Sequence, residues 1–147
     1  TTASGGSGGG YQGGVLAPNG DIHFIPYSAP VGQKISAEGV VSTYSLAYTT
    51  VRAYRGGVLS PTGDIHFIPY DAVVGQKISL DGIVSTYSLI FTTTAAYVGG
   101  ILDFDGNIHF VPGLEAMTSG IVGQKISTLP MNPFSNTLTL SPFFNKL

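Results

Sequence analysis

Three histidines, His23, His66 and His109, lie 43 residues apart. They are the side chains in this sequence best suited to moving a proton near neutral pH. Two kinds of chemistry are open to them. Brought round a common axis as neutral imidazoles, they could ring a metal ion. Kept apart, each would sit inside its own structural unit, hydrogen-bonded to a Ser or Thr of a neighbouring strand, with Ser42-Thr43-Tyr44-Ser45 offering such partners to His23. The structural role is favoured and no metal or other cofactor is expected, because a metal site needs convergent ligands with supporting groups behind them.

Asp21 stands two residues before His23 and on the same face of an extended strand, the relation an Asp–His catalytic pair would need. No nucleophile completes it. The sequence has no cysteine and no G-x-S-x-G turn, and Asn107 replaces the aspartate in the third copy. The chain is therefore expected not to be an enzyme. Asp103-Phe104-Asp105-Gly106-Asn107 has the alternating oxygen ligands of a calcium loop, but no glutamate follows at the twelfth position, so a hairpin turn is the favoured reading.

The run Gly-Gln-Lys-Ile-Ser is unchanged at 32–36, 75–79 and 123–127. Two roles suit it. The Gln amide could satisfy backbone groups at a junction between repeats. Alternatively, Gln33, Lys34, Gln76, Lys77, Gln124 and Lys125 could present a polar ligand-binding surface. Tyr27, Tyr44, Tyr48, Tyr70 and Tyr87 could stack on sugar rings, although their places in strand runs favour packing.

These residues sit in a threefold repeat: 11–53, 54–96 and 97–147, behind a Gly/Ser-rich segment at 1–10 that reads as a flexible tether. Copies one and two agree at 31 of 43 positions, and copy three carries five extra residues near Gly113–Met117. Each copy divides into four short runs rich in Val, Ile, Thr and Tyr, in copy one at 13–16, 22–27, 31–36 and 40–48. Pro18-Asn19-Gly20 and Glu38-Gly39 mark tight turns between them. The fold class this predicts is all-β, with three four-stranded antiparallel repeats of β-propeller-blade type. A closed threefold β-trefoil or β-prism is the alternative, because three blades leave open flanks where a propeller usually has four to eight.

Charged residues make up 10% of the 147 and the net charge is −2. With no basic cluster, nucleic acid is not an expected partner. No apolar run is long enough to span a membrane as a helix, so insertion is not expected. The chain opens Thr1-Thr2-Ala3, which fits a processed N-terminus or a part of a longer chain.

The run Gly-Gly-Val-Leu-Ala-Pro-Asn-Gly-Asp-Ile-His-Phe-Ile-Pro-Tyr at 13–27 resembles the GGVLxPNGxIxxIPxxA repeat of β-propeller-like proteins of bacteria and of tailed-phage virions, and Leu140–Leu147 resembles their terminal motif. The resemblance covers 11–147 and carries no catalytic residue. It implies a structural or binding module in a virion or extracellular setting, such as a fibre, spike or decoration protein, with other virion proteins, further copies of itself or a host-surface glycan as partners. A secreted lectin-like carbohydrate-binding domain is the alternative. Relatives of this kind carry more than three repeats.

Overall fold

The computed structural model describes residues 9–113 and 123–129. All regular structure in them is β. The first sheet holds β1 (Tyr11–Leu16), β2 (Ile22–Pro26), β3 (Gly32–Ile35) and β4 (Val41–Tyr44). The second holds β5 (Tyr54–Leu59), β6 (Ile65–Pro69), β7 (Val74–Ile78) and β8 (Val84–Ser88). The third holds β9 (Tyr97–Leu102), β10 (Asn107–Pro112) and β11 (Gln124–Ser127). Each is an antiparallel meander, and among the described residues no strand pairs outside its own sheet. These are propeller-type blades. The β-trefoil alternative fails because its strands would have to pair between repeats, and the β-prism alternative fails because blade two is packed on both of its faces rather than one.

The tight turns are built differently from an Asn-Gly hairpin. Ala17 N–H bonds to Asp21 O and Gly20 N–H to Ala17 O, so the loop is longer and only Gly20, at φ +89°, is left-handed. Asn19 is freed to accept the Asp21 N–H on its side-chain oxygen at 3.1 Å. Gly63 and Gly106 repeat this at φ +88° and +81°.

The fourth run of copy one is extended only to Tyr44, four residues short of the sequence expectation. Beyond it the chain leaves the sheet to reach the next blade. A non-glycine residue with positive φ, Arg52 at +57° and Ala95 at +51°, marks each crossing. The crossings are tied across blades. Ala53 N–H bonds to Tyr27 O and Tyr70 N–H returns to Ala53 O, while Ala96 N–H bonds to Tyr70 O. Gly10 plays the part of Ala53 for blade one, its carbonyl accepting from Tyr27, Ser28 and Ala29. Gly10, expected in the 1–10 tether, is thus bound into blade one; residues 1–8 lie outside the described residues, as do 114–122 of copy three and its ending at 130–147.

Blades stack face to face. Val15 and Ile25 of blade one meet Tyr54, Ile65, Phe67 and Ile78 of blade two. Val58 and Ile68 of blade two meet Tyr97, Ile108 and Phe110 of blade three. Period-two alternation puts each set on one face, and burying each large side chain contributes about 1.5–3 kcal/mol. Close approach is possible because Gly57 and Gly100 leave room. A Cβ built on Gly57 lies 2.7 Å from Ile25 Cδ1 and 2.9 Å from Val15 Cγ2.

A candidate site in the cleft between blades one and two

His23 begins its site in β2, opposite Lys34 of β3 and Val15 of β1. Lys34 in turn faces Ser42, and Gly32 faces Tyr44 of β4. Gly32 has no side chain, so the Tyr44 ring lies across it; an added methyl would overlap the ring. That path brings the phenol over β3 to His23 Nδ1, at 3.3 Å. Blade two repeats the device with Gly75, Tyr87 and His66, again at 3.3 Å. The partner of each buried histidine is thus a tyrosine rather than the Ser or Thr expected from sequence. The first glycine of Gly-Gln-Lys-Ile-Ser is what lets it reach.

Lys34 Nζ donates to Asp21 Oδ2 at 2.5 Å, and Lys77 Nζ to Asp64 Oδ2 at the same distance. The hydrogen bond and charge of Lys34 hold the Asp21 carboxyl below the usual carboxylate range. Burial, then the Lys34 ammonium, pull the His23 proton affinity down, against a smaller opposing pull from Asp21. Deeper burial takes His66 to about 4. Both imidazoles are neutral at pH 7. Tyr44 is pushed up by burial and keeps its proton.

These groups open onto a cleft of about 300 Å³. Asn19, Asp21, His23, Lys34 and Tyr44 form its blade-one wall, and the turn from Ile78 through Ser79, Leu80 and Asp81 to Gly82 forms the other. The β1–β2 and β3–β4 turns lie at the same end of a meander, which is why both walls meet there.

The remaining candidates separate. Gln76 is fully buried and its Oε1 accepts the N–H groups of Ala47 at 2.9 Å and Tyr48 at 2.8 Å. Gln124 Oε1 accepts from Ile90 N–H and from the Tyr97 hydroxyl. These two glutamines hold blade junctions rather than a solvent-facing surface. Lys77 is engaged with Asp64, Lys125 is exposed, and Gln33 is half-buried on the outer face of blade one. His109 stands exposed on blade three, its Nε2 bonded to Asp103 Oδ2 at 2.7 Å. The three histidines stay one to a blade, each with its own partner. Asp103 also accepts the Asp105 and Asn107 N–H groups, so the carboxylate of the calcium-like run is engaged by its own turn. Among the described residues no group of three His, Cys, Asp or Glu converges.

Sequence reasoning did not find the pairing of Tyr27 with Tyr70, ring centroids 6.2 Å apart, at the opposite end of the blades. Both arginines of the chain, Arg52 and Arg55, lie over the Tyr70 ring at 5.8 and 5.3 Å. The 43-residue offset between the two tyrosines was the available signal.

No family model matches the chain, and no curated protein does. Solved structures do. A catalytically inactive variant of virginiamycin B lyase from Staphylococcus aureus, crystallised with quinupristin, is similar over 84% of this chain and 42% of its own, at 20% identity and TM-score 0.62. Selenomethionine-substituted virginiamycin B lyase from the same organism gives 82%, 42%, 20% and 0.63. A streptogramin B lyase gives 81%, 40%, 22% and 0.58. The match spans about two fifths of the length of these proteins.

The expectation that the chain is not an enzyme is corrected by this likeness, because the structures it resembles are enzymes. The missing nucleophile speaks only against acyl transfer, which needs one. A lyase breaks a bond by elimination and requires a base instead. At this identity the likeness shows the fold alone, and that fold is an array of propeller-type blades.

Proposed function

We propose that the protein is a structural and binding module of a virion or extracellular surface, and that the cleft between blades one and two takes a carbohydrate. The observation that carries the binding role is the cleft lining. An amide, a carboxylate, an ammonium and a phenol lie beside apolar Ile78 and Leu80. Such a set suits the hydroxyl edge and the C–H face of a pyranose together. The volume stands at the lower end of small-ligand sites, which run from about 300 to 1,000 Å³, and fits one sugar at a time. The virion setting rests on the repeat resemblance at 13–27, with a host-surface glycan as the ligand. A secreted lectin-like domain would use the same cleft.

A glycan array probed with the labelled chain tests the binding role. Binding to a defined set of glycans is expected, and it should be lost in Lys34→Met and in Asp81→Ala, which alter opposite walls. An array with no specific signal would remove the carbohydrate reading.

The neutral imidazole of His23 in this cleft, together with the lyase likeness, favours a second reading. His23 would take a proton from one carbon of a bound glycan as the C–O bond on the adjacent carbon breaks, the oxygen leaving with the electron pair and a double bond forming between the two carbons. Incubating each bound glycan with the chain separates the two readings. An unsaturated product that disappears in His23→Gln supports elimination, and unchanged glycan supports binding alone.

A further inference from the structure

Among the described residues the two ends of the blade stack carry complementary faces, and the internal junctions show the kind of face that fits each of them. At each internal junction the face of one blade bearing Val15, His23 and Ile25, or Val58, His66 and Ile68, meets the opposite face of the next. Blade one leaves uncovered the face that blades two and three bury. Ile22 is 40% exposed, where its counterparts Ile65 and Ile108 are 1% and 0%. Phe24 and Tyr11 are half-buried, where Phe67, Tyr54, Phe110 and Tyr97 are buried.

Among the described residues, blade three leaves the other face uncovered. Val111 is 39% exposed, where Ile25 and Ile68 are 0% and 1%. Ile101, the counterpart of Val15 and Val58, is exposed beside it.

The socket is present too. Gly57 and Gly100 each receive a branched pair from the preceding blade, Ile25 with Val15 and Ile68 with Val58. The three atoms nearest a Cβ built on Gly14, at the same place in blade one, all belong to its own sheet: His23 O at 3.3 Å, Ile22 Cγ2 at 3.4 Å and Phe24 Cδ1 at 3.5 Å.

We propose that a second copy of this chain docks head to tail on these flanks, with its Val111 and Ile101 seated over Gly14. The contact is heterologous, so each copy uses both faces. Two copies bring six blades together, within the roughly four to eight at which propellers close; three copies would exceed it.

Sedimentation velocity of the full chain reads the outcome. The expected mass is twice 15.2 kDa. Gly14→Leu fills the socket without touching an internal junction. It should halve the mass to 15.2 kDa and leave the circular dichroism spectrum unchanged. The chain has no cysteine, so Gly14→Cys with Ile101→Cys provides an independent readout: a covalent dimer on a non-reducing gel. A parent chain that stays at 15.2 kDa at all concentrations overturns the proposal. So does a Gly14→Leu dimer, or a double-cysteine variant that forms no interchain link.

Discussion

Replacing Gln76 by Leu should loosen blade one from blade two at nearly constant side-chain volume. Gln76 Oε1 takes two N–H groups, those of Ala47 and Tyr48, at the point where the chain crosses between blades. Leucine offers neither group a partner, and each stranded N–H costs about 1–3 kcal/mol. One contribution runs the other way. Gln76 Nε2 is buried and has no hydrogen-bond partner among the described residues, so its removal returns part of that cost. The net expectation is a loss of about 2 kcal/mol.

The control comes from the repeat. Gln33 holds the same place in blade one but accepts no crossing N–H among the described residues, so in the Gly14→Leu background Gln33→Leu should change stability by no more than about 0.5 kcal/mol. Urea denaturation followed by tyrosine fluorescence measures both, with the slope checked for constancy. Equal losses for Gln33→Leu and Gln76→Leu would refute the junction role. So would no loss for either.

Three other outcomes follow from the same geometry. Gly75→Ala should cost about 1–3 kcal/mol, because the new methyl displaces the Tyr87 ring; equilibrium unfolding of the variant checks it, and a loss below about 0.3 kcal/mol would contradict the packing. His66 is held at about 4 against an ordinary 6.5. The unfolded chain therefore binds its proton first as pH falls, and stability present above pH 6.5 should decline towards pH 4 by about 3 kcal/mol. Urea midpoints across that range should flatten in His66→Gln, and equally steep loss in the variant would assign the effect elsewhere. Lys34→Met removes a cation that opposes imidazole protonation, so the His23 titration followed by NMR should move to higher pH; a fall would show that Asp21, freed of its partner, turns away from the ring.

The sequence disclosed the repeat, the turns and the strands because those depend on residues a few positions apart. Gly63 had to be a glycine for its turn, and Ile65 and Phe67 had to share a face. The cleft was less legible. Asp21 and His23 were visible as a pair, but the partnership of His23 with Tyr44 depends on a ring crossing Gly32, a residue chosen for what it lacks. The retained Gly-Gln-Lys-Ile-Ser run combines three separate demands: glycine for the tyrosine, glutamine for the junction and lysine for the aspartate. Of the two roles open to the run, the junction suits Gln76 and Gln124, because burial differs by position. Gln76 is sealed by blade one, whereas Gln33 is half-buried. The second wall of the cleft, Ser79 to Gly82, comes from a turn that is read in sequence only as a turn.

The three histidines of the chain make the cleft directly observable. In a spectrum of chain labelled at the imidazole ring, addition of a glycan selected on the array should shift the His23 signals in proportion to occupancy, while those of His66 and His109 stay in place. Glycan binding that leaves His23 unmoved would contradict the assignment of the site to the cleft between blades one and two.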